Sequence, residues 1–374
     1  MGACIVLTEI DYTTQEYLER VRHTRSQFLS PTDLAISCLT LLSFHQPDLL
    51  SKNPLLKYAA HGWAEHSRRF DDCAKVTKYA VRLLHDIDKV KLVGNIVRPF
   101  GRWHQYPDYN LSALHLCAFF GLRGVAEGLL QDGQEPDLQD CNGERPLHYA
   151  ARQGHQPIVK LLLETSHVEV NARGTNDRNP LLCATANGHE GVAKLLLETE
   201  KVDVNARDKD GWTSLLLATN RGDEGMVKLL LETGKVDVNA KFVYGYTPFS
   251  LAIMKEHEGV AMLLLETGKV DVDARDARGW TPLYLAATYG KEKIVKLLLE
   301  TGKVNANAED RIGWTPLCSA AMNGHERVAR LLIETGKVDV DARDALGRTP
   351  LSLAVMFGKY RVVKLLSEFG ASKR

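Results

Sequence analysis

Net charge is the first thing this 374-residue chain lacks: 47 Lys and Arg are matched by 47 Asp and Glu. A balanced chain has no bulk field to gather nucleic acid or an anionic membrane, and neither is expected as a partner. Long apolar runs are missing as well, none approaching the roughly 18 residues that a membrane-crossing helix needs. The seven cysteines, at 4, 38, 73, 117, 141, 183 and 318, include no Cys-x-x-Cys pair. Their odd number, and their setting in runs such as "ISCLTLL" and "LHLCAFF", suit buried reduced thiols better than disulfides or metal ligands. A cytoplasmic location is the matching expectation. The opening "MGACIVLTEI" has no basic flank, so no signal peptide is read there, and Val6 stands where a myristoylation motif wants Ser or Thr.

Catalytic signatures are equally scarce. No Ser/His/Asp order, nucleophile elbow or isolated carboxylate pair stands out. In "HGWAEH" the two imidazoles of His61 and His66 flank Glu65 at a spacing of five, which separates them by about 140° around a helix and keeps them from sharing a metal. The expectation is a non-enzyme without cofactor, metal or small-molecule substrate. Charged residues make up 25% and apolar residues 44% of the chain, enough to build a core and too ordered a mixture for disorder.

Repetition is what the sequence has in abundance. Leu147, Leu181, Leu215, Phe249, Leu283, Leu317 and Leu351 recur every 34 residues, with Leu114 one step earlier at 33. A second column keeps pace: "IVKLLLE" at 158, "VAKLLLE" at 192, "MVKLLLE" at 226, "VAMLLLE" at 260, "IVKLLLE" at 294, "VARLLIE" at 328 and "VVKLLSE" at 362. Eight copies result, at about 109–141, 142–175, 176–209, 210–243, 244–277, 278–311, 312–345 and 346–374.

Each copy reads as two short helices and a turn. In the copy "GWTPLYLAATYGKEKIVKLLLETGKV", Thr281 is placed to cap the first helix and Pro282 to start it. Gly290 breaks that helix, Ile294, Val295, Leu297 and Leu298 form the apolar stripe of the second, and Gly302 suits the left-handed position after it. Helices of about nine residues cannot bury their faces alone, whereas stacked neighbours can. The expected fold is an all-α solenoid of eight helix-turn-helix repeats behind a small helical block.

These motifs, G-x-T-P-L, the Ala pair, G-H, V-x-L-L-L and D-V-N-A over about 270 residues, resemble the ankyrin repeat. The resemblance implies a partner-binding function, with the turn residue before the capping Thr and the two residues before the inter-helix glycine facing the concave side. Departures are visible. The family's His after the Leu survives as His115 and His148, and becomes Leu182, Leu216, Ser250, Tyr284, Cys318 and Ser352 elsewhere, so its polar network is expected to be lost or rerouted in six copies. Glu256 replaces the inter-helix glycine and suggests a stiffer turn. His155, His189, His257 and His325 match the Gly-His of the family and read as scaffold. The Glu column (Glu164 to Glu368) and the Lys column (Lys201 to Lys337) read as a neutralised solvent ladder.

Residues 1–105 share none of this period. Thr13 and Glu16 form a capping box, and "SPTDLAISCLTLLSF", "NPLLKYAAHGWAEHSRR" and "DCAKVTKYAVRLLHDI" read as helices, followed by the short run "KVKLVGNIV". This block is similar to the segment joining the NTPase core to the repeats in fungal NACHT-type signalling proteins. The resemblance implies a sensor or regulatory half of such a protein, although the phosphate-binding loop G-x-x-x-x-G-K-[ST] is absent from the chain.

The turn column reads Glu144, Arg178 or Asn179, Trp212, Tyr246, Trp280, Trp314 and Arg348, and the helix-end column adds Met254, Tyr289, Met322, Met356 and Phe357. Aromatic and Met side chains on a rigid strip are what binding hot spots are made of. Trp212, Tyr246, Trp280, Tyr289, Trp314, Met322, Met356 and Phe357 are therefore the candidate partner-binding residues of a monomer that recognises a protein. The competing reading is that each ring lies flat on the neighbouring turn and only tightens the stack.

Overall fold

The structure is a computed structural model that describes residues 74–97 and 110–370. Among the described residues it holds 18 α-helices, two short 3-10 turns and no strand. The expected all-α stack of helix pairs is what forms. The chain separates into two compact units, residues 1–175 and 176–374, which are taken in turn. The boundary expected at residue 105 lies outside the described residues, as do the capping box at Thr13 and the pair His61 and His66.

In the first unit, α1 (Ala74–Leu84) buries Val76, Ala80, Leu83 and Leu84, spaced to share one helix face. The sequence "KVKLVGNIV" turns out to belong to a second helix, α2 (Ile87–Val97). Two repeats follow, α3 (Ala113–Phe120) with α4 (Arg123–Gln131), and α5 (Pro146–Gln153) with α6 (Gln156–Glu164). Helix α1 packs along α4 and α2 touches α3. The approach is close: a Cβ on Gly128 of α4 would stand 3.0 Å from Val81 Cγ2. His85 Nε2 meets Asp132 Oδ2 at 2.9 Å beside it. The non-repeat helices thus close the open apolar face of the first repeat, the capping that an array of this kind requires.

The second unit stacks six copies: α7 (Pro180–Asn187) with α8 (Glu190–Glu198), α9 (Ser214–Arg221) with α10 (Glu224–Glu232), and α11 (Pro248–Met254) with α12 (Glu258–Glu266). Then come α13 (Pro282–Thr288) with α14 (Glu292–Glu300), α15 (Pro316–Asn323) with α16 (Glu326–Glu334), and α17 (Pro350–Met356) with α18 (Tyr360–Glu368). First helices pack on first helices and second on second down the stack. The Leu column at 230, 264, 298 and 332 is fully buried between them.

The caps form as the sequence demanded. Thr281 Oγ1 accepts the Tyr284 N–H at 3.2 Å, with Pro282 at the first helical position. The inter-helix glycines are required twice over. Gly290 has φ +66°, and a Cβ there would come within 2.6 Å of His325 Nδ1. That His donates Nε2–H to the Thr288 carbonyl at 2.9 Å, and His257 does the same to Asn220 at 3.3 Å, so both are scaffold side chains. Glu256 takes the left-handed conformation without being glycine, at φ +64°. Its repeat is matched by Lys291, which stands in the His position of the next one and pairs with Glu256 at 3.0 Å.

One ladder escaped the sequence reading. In the D-V-N-A segments, Asn205 donates Nδ2–H to the Lys235 carbonyl and accepts the Asp237 N–H, a two-way clamp onto the next repeat. Asn239 and Asn307 repeat the clamp on Lys269 with Asp271 and on Lys337 with Asp339. Asp273 breaks the series, since a carboxylate accepts the Asn305 N–H but has no hydrogen to return. The charged ladder also differs from expectation: Glu258 pairs with Lys293 and Glu292 with Arg327, from one second helix to the next.

A candidate docking strip built on the turn rings

The repeat turns at 208, 276, 310 and 344 begin with an aspartate whose two oxygens are used separately. In the turn at 276, Asp276 Oδ1 accepts the N–H groups of Arg278 at 2.8 Å and Trp280 at 2.9 Å, closing the turn from inside. Asp208, Asp310 and Asp344 fold their turns identically. Oδ2 is left facing the ring column of the preceding repeat, 30 residues back. Trp314 donates its indole N–H to Asp344 Oδ2 at 2.9 Å, and Trp280 donates to Asp310 Oδ2 at 3.3 Å. In the third copy an arginine takes the same place: Arg178 donates Nε–H at 3.1 Å and Nη2–H at 3.0 Å to Asp208 Oδ2.

The tightening role of the rings is therefore real. Trp280 also stacks on the buried Tyr284, with centroids 5.2 Å apart and planes 23° apart, and carries the Arg278 guanidinium at 4.7 Å on its face. The Arg348 guanidinium lies 5.5 Å from the Trp314 ring and donates Nε–H to Asp344 at 2.7 Å. Burial pushes the Asp344 carboxyl up, but the donors from Arg348, Trp314 and Leu346 more than offset it and hold the group below the usual aspartate value. The missing His is rerouted in the same region. The Tyr284 hydroxyl bonds with Asp310 and Ser319, and burial, followed by the Asp310 charge, pushes it well above the ordinary phenol range. Ser250 and Ser352 instead accept the N–H of the capping Thr at 2.8 Å.

The fifth copy breaks the pattern at both positions. Its turn starts with Phe242 in place of Asp, and Trp212 packs on that ring at 4.3 Å. Its own ring is Tyr246 in place of Trp, opposite Asp276. Asp276 is 9% exposed, and its Oδ2 has no hydrogen-bond partner among the described residues.

A family model described as ankyrin repeats (three copies) matches residues 114–208, 200–276, 264–344 and 302–374, most of the chain. The chain belongs to the ankyrin-repeat family. Among curated relatives, NF-kappa-B inhibitor alpha of Rattus norvegicus is 37% identical over 68 residues, 17% of this chain and 22% of that protein. Rabankyrin-5 of Mus musculus is 34% identical over 62 residues, 17% of this chain and 5% of that protein. Both likenesses cover only a small part of the relative's length.

On this ankyrin scaffold, the structure places the candidate residues in two classes. Trp212, Tyr246, Trp280 and Trp314 are half-buried against the turns, as is Met322 at its helix end. Tyr289, Met356 and Phe357 stand free, 38%, 61% and 48% exposed. Tyr244 and Tyr246 come together, their rings 6.5 Å apart, and Tyr289 adds a small electrostatic influence on the Tyr246 hydroxyl. Burial, then the Asp276 charge, raises the Tyr246 hydroxyl above its ordinary value. Tyr244, 71% exposed, was missed by sequence reasoning, although the irregular "KFVYGY" was the signal available. Cys117, Cys183 and Cys318 are buried thiols outside any disulfide, as expected, while Cys141 is exposed. No helix among the described residues is long and apolar enough to cross a membrane.

Proposed function

We propose that this chain is a non-enzymatic protein-binding module whose partner docks on the turn-ring side of residues 176–374. The observation that carries the reading is the exposed apolar surface of residues 176–374: Tyr289, Met356 and Phe357, with Val355 at 54% and Leu346 at 75% exposure. Apolar side chains held on short, mutually braced helices lose little entropy on association, so a few of them supply most of the affinity. Family membership supports a protein as the partner, and the name of one relative describes it as an inhibitor of NF-kappa-B. The module acts as a monomer in the cytoplasm.

The test separates docking from packing. Partners are captured on the full chain and identified by mass spectrometry, and the capture is repeated with Tyr289→Ser, Met356→Ser and Phe357→Ser combined. Docking predicts loss of the partner at an unchanged melting temperature. Retention of every partner by the triple variant would refute the strip. A second reading, a regulatory half that works with a separate nucleotide-binding chain, rests on the likeness of residues 1–105 to the NACHT-type linker. Its expected signature is such an NTPase among the captured proteins, lost when residues 1–105 are replaced.

A further inference from the structure

The ring-to-carboxylate ladder of residues 176–374 has one empty rung, and its neighbours show what fits there. Asp208, Asp310 and Asp344 each receive a planar N–H donor on Oδ2, from a guanidinium or an indole. Asp276 holds its turn with Oδ1 in the same way, yet among the described residues no hydrogen-bond donor reaches Oδ2. The difference lies in one side chain: Trp280 and Trp314 carry an N–H on the flank of the ring, whereas the only side-chain donor of Tyr246 is the hydroxyl at the far end of its ring, and that hydroxyl makes no bond to Oδ2. Arg278, the nearby cation, gives its backbone N–H to this carboxylate and lays its guanidinium over Trp280 instead. A buried carboxylate oxygen without a donor is unfavourable, so the site is biased toward any cation that can reach it.

What surrounds the oxygen suits that cation. Tyr246 holds the ring position of this rung and Tyr244 lies 6.5 Å from it, so a guanidinium entering beside these rings gains cation–π attraction as well as the charge-assisted bond. Tyr246 is only half-buried, so its ring can turn outward without disturbing the core. We propose that the seat formed by Asp276 and these tyrosines receives one arginine side chain of the docking protein, the guanidinium taking the position Arg178 holds on Asp208. This names the partner's chemistry and rests on the docking reading above.

The experiment needs no identified partner. The full chain is titrated with N-acetyl-arginine amide while the Tyr246 ring resonances are followed by NMR. The uncharged isostere N-acetyl-citrulline amide serves as control. Expected are a saturable shift with the arginine amide and none with citrulline. Tyr246→Trp, which supplies its own indole to Oδ2, and Asp276→Asn, which keeps the turn and replaces the free oxygen by a donor, should each abolish binding, read at Tyr244. Tyr246→Trp should also raise the melting temperature, and Arg278→Ala should leave binding intact. No shift up to the solubility limit of the probe, an equal shift with citrulline, or binding that survives Tyr246→Trp would overturn the seat and leave only a solvent-satisfied carboxylate. The strip reading fails separately, when the triple variant of exposed residues keeps its partners whatever the arginine titration shows.

Discussion

The two repeats before residue 175 and the six after it solve the same polar problem with different side chains. In the first unit the connector is a fully buried imidazole. His115 and His148 are fully buried, each accepting an N–H at its own helix start and donating to a carbonyl, those of Glu144 and Ala172. Glu144, also buried, is clamped by Arg152, and the Tyr149 hydroxyl donates to Asp140 Oδ2 at 2.8 Å. In the second unit the connector is a half-buried ring or guanidinium that reaches across to the next turn. The lesson is that the backbone of the repeat asks only for a donor at each turn carboxylate. Moving that donor outward to Trp and Tyr places aromatic surface where a partner can use it.

The comparison breaks most visibly where a charge is stranded. Arg152→Ala leaves Glu144 buried without its partner, and a loss of about 3–5 kcal/mol is expected in chemical denaturation. A loss below 1 kcal/mol would show that the first unit does not depend on its internal pair. The shared core comes next: Leu298→Ala, fully buried on α14, should cost about 2–5 kcal/mol, and a smaller cost would mean the stack relaxes around the cavity.

Acid distinguishes the units less strongly. For Glu144, burial raises the carboxyl but Arg152 and its other donors bring it below the ordinary glutamate value. A depressed folded value stabilises the fold above the unfolded pKa, about 4.3, and that contribution disappears as pH falls through the lower folded value. Acid unfolding of Glu144→Gln should therefore show a flatter stability profile below about pH 4 than the parent protein. A parallel profile would contradict the shift.

Smaller effects sharpen the ladder itself. Trp314→Phe keeps the ring and removes one donor from Asp344, which retains Arg348, so about 1 kcal/mol is expected to be lost. Glu256→Gly relieves a left-handed residue and gives up an exposed ion pair, for a net gain of about 0.5–1 kcal/mol. A destabilised Glu256→Gly would mean that the pair with Lys291 matters more than the backbone.

Much of the fold was legible because its signals are local and repeated. Thr281, Pro282, Gly290 and Gly302 act within a few residues of themselves, and eight copies reinforce the reading. The Asn205, Asn239 and Asn307 clamps were overlooked because D-V-N-A was read as a connector, and a clamp shows only when the next copy lies beside it. The candidate strip was half legible. Spacing put Trp212, Tyr246, Trp280 and Trp314 in one column, but it could not reveal the aspartate 30 residues later that holds the Trp280 and Trp314 indoles. For the same reason Phe242 and Tyr246 looked like ordinary aromatic variants, not a rung without its donor.

The amino-acid sequence alone determined where each helix starts and stops and that the pairs must lean on one another, because capping and 3.6-residue periodicity act over a few bonds. Only the tertiary structure decided which oxygen meets which ring. Those partners lie a whole repeat apart, and their meeting is set by how one repeat stacks on the next.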